Sequence, residues 1–582
     1  MGNRKRATER GSNRTKPAVI GGMIAVVVGG AGFGVYALYG GGAAAHDTKS
    51  AASDAKDEKD AKPVKKGPLS AAEVKSTATA FLTAWQSGAV TTAAASTNDT
   101  AAARTLLTGY GKEAYIKDVT LTAKARSGDT VPFSVKGTVT YKGTTKPLAY
   151  ESKLTVVRRA KDGKPLVDWH SAVVHPDLED GDKLVTGEAG TPPIKALDRD
   201  GGELTTAKYA SLGTVLDGLR EKFGKTAGGK AGIELRVIRA DSKDADSSAK
   251  TADSDENADE NADKKPDKTL LELSKGTPGT VRTTLSPGLQ AIAEQQVAKK
   301  AKSSAVLIRP STGEILAAAN AGAGKGFNTA FQGSLAPGST MKVITASLLI
   351  DKGLASVNKE HPCPKYSTYG GWKFQNDDKF EIKGGTFKAS FARSCNTAFI
   401  SQAKKLKDDD LAKQAQQVFG LGMDNWSVGV PSFDGAVPVQ SQAQMAAELI
   451  GQGGVRMNPL NMASVVATVK TGTFHQPYLV SPTVDKRTLA KATRALSADT
   501  QSQLKELLQY TASSGTAAGA MAGLGPDFGA KTGSAEVDGQ KKPNGWFTAW
   551  KGDLAAAGVV QQGGHGGDSA GPIVAALLKA GS

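Results

Sequence analysis

The stretch Leu335-Ala336-Pro337-Gly338-Ser339-Thr340-Met341-Lys342-Val343-Ile344-Thr345-Ala346 predicts a turn that runs directly into a buried helix. Pro337-Gly338 is a turn-forming pair, and the apolar run that follows is typical of a core helix. We expect Ser339 in the first turn, where free backbone N–H groups and the positive end of the helix dipole lie. Lys342 follows three residues later, so its amine shares a helix face with the Ser339 hydroxyl. The pattern indicates a serine nucleophile beside its base.

A Ser-x-x-Lys pair is a weak signal by itself, because a chain rich in serine and lysine produces it by chance on exposed helices. Here the lysine precedes an unbroken apolar run that includes Val343, Ile344 and Leu348. Such a helix is expected in the core, and lysine is rarely buried without a function or a partner. The context therefore favours a functional pair.

A second motif, Ser394-Cys395-Asn396, lies between an amphipathic stretch at 387–393 and the apolar Ala398-Phe399-Ile400. This pattern predicts a loop between two helices. A hydroxyl there can pass on a proton, and a carboxamide can hold an amide of a substrate. Most triplets of this kind are caps or turns, so the motif gains meaning only beside the others.

The triplet Lys-Thr-Gly occurs twice, in two different settings. Lys470-Thr471-Gly472 ends a helix that Asn458-Pro459 begins, which predicts a structural role. Lys531-Thr532-Gly533 instead begins a run that predicts three antiparallel strands. Glycine in such a strand lets a ligand approach the backbone, and the lysine and threonine can bind a carboxylate.

The chain of 582 residues carries a net charge of +16. Basic residues at 4–16 precede an apolar run at 18–38, which predicts a cytoplasmic tail at 1–16 and a single membrane anchor at 17–40. The bulk of the chain is then outside the plasma membrane. A cleaved signal peptide remains the alternative. No basic motif interleaved with aromatic residues indicates binding to nucleic acid.

Beyond the anchor, composition divides the chain into four parts and predicts an α+β multidomain protein. Residues 41–67 form a disordered stalk that lacks core-forming residues. Residues 68–178 begin with a capping box, Ser70 to Glu73, and continue as a helix and an antiparallel sheet. Residues 179–282 are a linker or pedestal domain with a disordered acidic insert at 241–268. Residues 283–582 carry the three motifs.

The two cysteines of the chain, Cys363 and Cys395, are both expected outside the reducing cytosol. This favours a disulfide between them, with two buried free thiols as the alternative. Two cysteines without a nearby histidine pair make a poor metal site. The sequence predicts neither a metal nor a cofactor.

Taken in order, Ser339-Thr340-Met341-Lys342, Ser394-Cys395-Asn396 and Lys531-Thr532-Gly533 resemble the three motifs of the serine penicillin-recognising enzymes. The flanking sequences Thr312-Gly313-Glu314-Ile315-Leu316 and Gly451-Gln452-Gly453 are similar to those of class B penicillin-binding proteins. Residues 68–178 more loosely resemble the NTF2-like domain found in some of these proteins. The resemblance implies a transpeptidase domain whose five-stranded antiparallel sheet is flanked by helices.

The resemblance also implies a monofunctional D-Ala-D-Ala transpeptidase that crosslinks peptidoglycan stem peptides and is acylated by penicillin and other β-lactam antibiotics. Proteins of a cell-wall synthesis complex are its implied partners, and cell-wall growth that sets cell shape is the implied process, with division, elongation and sporulation as the open alternatives. It implies backbone N–H groups of Ser339 and Ser534 as the oxyanion hole. The implied catalytic residues are Ser339, Lys342, Ser394 and Lys531, and the implied substrate-binding residues are Asn396, Thr532, Gly533 and Ser534.

Two other functions share these motifs. A secreted β-lactamase would need a group that activates water for fast deacylation, and the sequence identifies none. A β-lactam-binding sensor or scaffold of low catalytic activity is the other alternative. A glycosyltransferase is not expected, because the upstream chain shows no carboxylate-bearing domain of sufficient size.

Overall fold

The computed structural model describes residues 65–240, 265–322 and 326–582. Residues Lys65–Ser582 form one compact unit. The predicted tail at 1–16, the anchor at 17–40 and the stalk up to residue 64 lie outside the described residues. Among the helices that are described, none is both long enough and apolar enough to cross a membrane.

The N-terminal part of the described chain, up to Asp168, packs three helices against a four-stranded antiparallel sheet in the order β1-β2-β3-β4. The predicted capping box starts the first helix, where Ser70 Oγ accepts from the Glu73 N–H and Glu73 accepts from the Ser70 N–H. Trp85 lies at the centre of the core, edge-on to Tyr110 and Phe133. The elements are α1 Ala71–Gln86, α2 Val90–Ala95, α3 Thr100–Lys112, β1 Ile116–Ala123, β2 Thr130–Tyr141, β3 Thr144–Arg158 and β4 Pro165–Asp168.

The predicted linker at 179–282 contains more regular structure than its broken sequence pattern indicates. Its strands β5, β8 and β9 form an antiparallel sheet whose apolar side chains join the core of the N-terminal part. Its helix α4 instead joins the core of the C-terminal part. The elements are β5 Lys183–Glu188, β6 Lys195–Leu197, α4 Gly213–Phe223, β7 Gly229–Lys230, β8 Ile233–Ile238, β9 Lys268–Ser274, β10 Thr277–Pro278 and β11 Thr280–Arg282.

Two predicted boundaries of disorder differ from the structure. Strand β9 begins at Lys268, inside the predicted insert, because its apolar residues pair with β8. Residues 241–264 lie outside the described residues. At the end of the predicted stalk, Arg158 Nε donates to Gly67 O at 3.0 Å, so the chain at Gly67 already packs on the N-terminal part.

The C-terminal part is built on a five-stranded antiparallel sheet in the order β13-β12-β18-β17-β16, with helices on both faces. Because both faces are covered, β12 and β18 are buried along their whole length. Strand β16 lies at one edge. The elements are α5 Pro287–Val297, β12 Ser303–Ile308, β13 Ile315–Asn320, α6 Thr329–Gln332, α7 Lys342–Asp351, β14 Tyr366–Tyr369, β15 Trp372–Gln375, α8 Phe387–Ala392, α9 Asn396–Ile400, α10 Asp410–Phe419, α11 Gln442–Glu448, α12 Pro459–Thr471, α13 Ala498–Ser514, α14 Ala518–Met521, β16 Phe528–Ala535, β17 Asn544–Lys551, β18 Leu554–Val560, α15 Gly566–Ser569 and α16 Gly571–Ala580.

Candidate active site

Ser339 lies in a 3₁₀ turn, Gly338–Met341, that leads into α7, so it precedes the α-helix that the sequence predicts around it. The turn lies against edge strand β16. A Cβ on Gly338, whose φ is +54°, would come within 2.4 Å of the Ser534 carbonyl oxygen. Glycine is therefore required for this close approach. The Gly338 N–H donates to Gly451 O at 2.9 Å, which fixes the turn from the other side.

Lys342 is the first residue of α7 and is completely buried. Its Nζ lies 3.0 Å from Ser339 Oγ and donates to Ser394 O at 2.8 Å and to Asn396 Oδ1 at 2.6 Å. Burial, followed by the nearby charge of Lys531, holds the pKa of Lys342 well below its usual range. The neutral amine is thus favoured, and a neutral amine can accept the proton of the Ser339 hydroxyl.

Lys531 lies on β16 and is also completely buried. Its Nζ donates to Ser394 Oγ at 2.9 Å and to Thr532 O at 2.9 Å. Burial lowers the pKa of Lys531 to about 7. The Ser394 hydroxyl therefore lies between two amines, since Lys342 Nζ is 3.4 Å from it on the other side.

Two aromatic rings border this pair of lysines. Lys342 Nζ is 5.5 Å from the centre of the Phe399 ring, and Lys531 Nζ is 5.6 Å from the centre of the Phe391 ring. Both rings are fully buried and keep water from that side of the amines. This apolar border explains why burial is the largest cause of both lowered pKa values.

The remaining residues of the site open into one cleft of about 470 Å³. On its floor are Ser339, Ser394 and Asn396, and along β16 are Thr532, Gly533 and Ser534. Three segments that are far apart in the sequence thus meet around one concave site. The two lysines do not line the cleft. Lys342 contacts the Ser339 hydroxyl of the cleft, and Lys531 contacts the Ser394 hydroxyl.

Residues 303–579 match the family model described as the penicillin binding protein transpeptidase domain. The matched range begins at β12 and ends in α16, and it contains the whole cleft. The cleft thus lies within the part of the chain that is similar to penicillin-binding protein transpeptidase domains.

Three known proteins illustrate the similarity. Peptidoglycan D,D-transpeptidase PbpA of Mycolicibacterium smegmatis is 27% identical over 368 residues, which cover 52% of this chain and 73% of that protein. Penicillin binding protein 3 of Mycobacterium tuberculosis has a similar fold, with a TM-score of 0.53 and 19% identity over 68% of this chain and 95% of that one. A chain of a peptidoglycan synthase complex has a TM-score of 0.54 and 20% identity over 69% of this chain and 92% of that one. The two solved structures cover more than residues 303–579, so the shared fold extends upstream of the matched range.

Within the matched range, Ser394 lies at the loop between α8 and α9, as the sequence predicts, in the left-handed region at φ +59°. A disulfide joins Cys395 of this loop to Cys363, with the two Cα atoms 6.2 Å apart. The Cys395 sulfur also accepts from the Ala398 N–H at the start of α9. The bond therefore ties the loop that carries Ser394 to the chain before hairpin β14–β15.

That hairpin supplies contacts that the sequence did not reveal. Asn396 Nδ2 donates to Gln375 O at 3.1 Å, while its Oδ1 is held by Lys342. Asn376, which follows Gln375 in the chain, is buried and donates from Nδ2 to Phe380 O at 2.8 Å. The contacts with Gln375 and Lys342 orient the carboxamide of Asn396 before any substrate arrives. Hairpin contacts of this kind leave no motif, because they depend on backbone atoms.

Other cleft residues also escaped the sequence analysis. Thr516 follows α13, and its Oγ1 is 2.6 Å from Thr532 Oγ1. Gln452 donates from Nε2 to Glu536 Oε2 at 2.7 Å across the cleft rim. Arg393, next to Ser394, also faces the cleft. Within residues 65–240, 265–322 and 326–582, no group of three or more His, Cys, Asp or Glu side chains could hold a metal ion.

Proposed function

We propose that this protein is a serine-type peptidoglycan D,D-transpeptidase that crosslinks stem peptides through an acyl-enzyme on Ser339. The observation that carries the proposal is the contact of the Ser339 hydroxyl, at the floor of an open cleft, with the buried amine of Lys342. The D,D-transpeptidase activity named for its sequence relatives supports the same reaction.

In the first step, Ser339 Oγ attacks the carbonyl carbon of the penultimate D-Ala and loses its proton to neutral Lys342. A C–O bond forms and the carbonyl becomes an oxyanion. Backbone N–H groups of Ser339 and Ser534 stabilise this oxyanion, and the close approach of Gly338 to Ser534 O supports that pairing. Donors of this kind are each worth about 3–4 kcal/mol in related chemistry.

In the second step, the C–N bond to the terminal D-Ala breaks, and the leaving nitrogen takes a proton from the Ser394 hydroxyl. Ser394 recovers a proton from the lysines, since its Oγ lies 2.9 Å from Lys531 Nζ and 3.4 Å from Lys342 Nζ. Free D-Ala leaves, and the acyl-enzyme remains. The amine of a second stem peptide then attacks the ester by the reverse path and forms the crosslink.

Penicillin enters the same first step, because its β-lactam amide is an acyl donor of similar shape. The leaving nitrogen stays tethered to the acyl group after ring opening. It therefore continues to block the position from which an amine or water would attack. We expect a long-lived adduct, whereas a β-lactamase would release it promptly.

The test is labelling of the purified full chain with a fluorescent penicillin, followed by intact mass. We expect one adduct that persists for many minutes, no adduct in Ser339→Ala, and wild-type labelling in the control Ser513→Ala, which lies outside the cleft. Labelling of Ser339→Ala would remove Ser339 as the nucleophile. Rapid loss of label from the wild type would favour a β-lactamase. Persistent labelling without crosslinking of a stem-peptide donor to an acceptor amine would favour a sensor or scaffold.

Acylation is also expected to depend on pH. Protonated Lys342 cannot accept the proton of Ser339, so the acylation rate should fall as pH decreases. Because burial and Lys531 lower the pKa of Lys342, the rate should remain substantial at neutral pH. A rate that is flat across the acidic range would contradict Lys342 as the base.

We further propose that the protein is a monofunctional class B enzyme with an NTF2-like domain at 68–178. Helices packed on an antiparallel sheet in this range support that domain type. We also propose that residues 17–40 anchor it in the plasma membrane, with residues 1–16 in the cytoplasm and the bulk outside. Protease treatment of intact spheroplasts should then degrade the transpeptidase domain, and the purified protein should show no glycan polymerisation.

A further inference from the structure

The end of the cleft beside β16 presents hydroxyl groups rather than an ammonium group. Lys531 does not line the cleft, and its amine is already engaged by Ser394 Oγ and Thr532 O. Thr532 and Thr516 do line it. A ligand carboxylate at this end therefore meets two hydroxyls first, with the buried amine behind them.

The backbone of Thr516 is fixed by contacts with its neighbours, although the Thr516 side chain is exposed to solvent in the cleft. Its backbone N–H donates to the carbonyl of Ala392, the last residue of α8, at 3.1 Å. A Cβ on the preceding Gly515 would come within 2.7 Å of the same carbonyl, so the chain approaches α8 as closely as glycine allows. Across the cleft wall, a Cβ on Gly567 would lie 3.0 Å from the Thr516 carbonyl. The hydroxyl is thus positioned by backbone contacts on both sides.

The two hydroxyl oxygens, Thr516 Oγ1 and Thr532 Oγ1, are 2.6 Å apart. In the free site one donates to the other, because each hydroxyl is both a donor and an acceptor. A carboxylate only accepts, and its two oxygens are separated by a similar distance. Both hydroxyls can rotate to donate one hydrogen bond to each carboxylate oxygen, and bonds to an ionised acceptor are stronger than the bond they replace.

We propose that Thr516 is a second hydroxyl of the carboxylate-binding site, which acts with Thr532 to hold the terminal carboxylate of the stem peptide and the carboxylate of β-lactams. The assignment rests on the proposed function, since it takes the acyl donor to be a molecule that ends in a carboxylate. It gives a substrate-binding role to a residue that lies outside the three sequence motifs.

The test compares acylation by benzylpenicillin with acylation by its uncharged methyl ester, measured as second-order rate constants. Thr516→Val removes the hydroxyl and keeps the shape of the side chain. We expect it to slow acylation by benzylpenicillin about ten- to hundredfold, the loss for one hydrogen bond to a charged group. Acylation by the ester should stay near the wild-type value. Thr516→Ser should restore the benzylpenicillin rate, and Ser513→Ala is the matched control outside the cleft.

A double-mutant cycle with Thr532→Val sharpens the result. If the two hydroxyls share one carboxylate, their effects on the benzylpenicillin rate should be non-additive. Equal losses for benzylpenicillin and the ester in Thr516→Val would overturn the assignment and indicate a general distortion. Unchanged rates would also overturn it and would leave Arg393 or His565, whose side chains also line the cleft, as the carboxylate partners.

Failure of the proposed function would look different. In that case the wild type itself would react with neither compound, and both the function and this assignment would fall. Wild-type acylation that does not depend on the carboxylate would overturn the carboxylate site alone. Circular dichroism and the thermal midpoint of Thr516→Val, compared with Thr516→Ser, identify any loss of folding.

Discussion

The same triplet, Lys-Thr-Gly, occurs at the end of helix α12 and on edge strand β16, and its residues make different contacts at the two positions. At 470–472 the lysine forms an ion pair with Asp527, whose two carboxylate oxygens are each 2.7 Å from Lys470 Nζ. The glycine is a left-handed C-cap at φ +84°. At 531–533 the lysine is fully buried beside Ser394, and the glycine faces the turn that carries Ser339.

The threonines differ in the same way. Thr471 bonds within its own helix end, from Oγ1 to Ala467 O at 3.0 Å. Thr532 lines the cleft, and its hydroxyl is paired only with another hydroxyl, that of Thr516, among the described contacts. The comparison teaches that the triplet has no chemistry of its own. Burial, secondary structure and neighbours decide whether it ends a helix or forms part of the candidate active site.

The largest difference between the two triplets should come from the lysines. Lys531→Met removes the amine that bonds to Ser394, so we expect acylation by penicillin to fall about 10²- to 10⁴-fold, the usual range for losing a proton-transfer group. Lys470→Met removes a partly exposed ion pair and should leave the rate unchanged. Stopped-flow acylation rates of both variants measure the contrast. Similar losses in the two variants would show that the triplets are not functionally distinct.

The glycines should give the next largest effect. A Cβ on Gly533 would lie 2.9 Å from Pro337 O and 3.1 Å from the Thr340 N, so β16 must move away from the turn of Ser339. We expect Gly533→Ala to slow acylation about ten- to hundredfold, because small displacements of reacting groups are costly. Gly472→Ala is the matched control for the acylation rate. A wild-type rate in Gly533→Ala would mean that the close approach is unnecessary.

Gly472→Ala should instead affect stability. Alanine in the left-handed region costs about 1–2 kcal/mol, and its Cβ would lie 2.9 Å from Gln501 Oε1. Gln501 Nε2 donates to the last carbonyls of α12, at Val469 and Lys470, so the helix end would also lose contacts. Chemical denaturation should show a lower free energy of unfolding with an unchanged acylation rate. Unchanged stability would remove the structural role of the first triplet.

The last contrast between the two lysines should appear in the dependence of stability on pH. Burial lowers the pKa of Lys531 to about 7, whereas an unfolded lysine titrates near ~10.4. Between these values the unfolded chain binds more protons than the folded one, so stability due to this site should rise with pH by at most about 1.4 kcal/mol per pH unit. The free energy of unfolding, measured at several pH values, should show this rise in the wild type and in Lys470→Met. Lys531→Met should show a smaller rise, because only Lys342 then contributes to it, and an equal slope in all three would contradict the lowered pKa of Lys531.

Local sequence was sufficient where short-range physics controls the outcome. The capping box of Ser70 and Glu73 and the helix from Asn458 to Gly472 both form as predicted, because caps and helix stops act over a few residues. The Ser339–Lys342 contact follows from their spacing of three. The sequence was less informative about residues 179–282, where short strands depend on a sheet assembled from segments that are far apart.

The sequence by itself determined the order of the three motifs, the turn that carries Ser339, and the different settings of the two Lys-Thr-Gly triplets. Only the tertiary structure decided that Lys531 approaches Ser394 from behind the cleft, that hairpin β14–β15 orients Asn396, and that Thr516 lies beside Thr532. The physical reason is that backbone carbonyls and isolated hydroxyls carry no sequence signal. Their positions depend on how distant helices and an edge strand pack, and that packing also excludes the water that would keep both lysines charged.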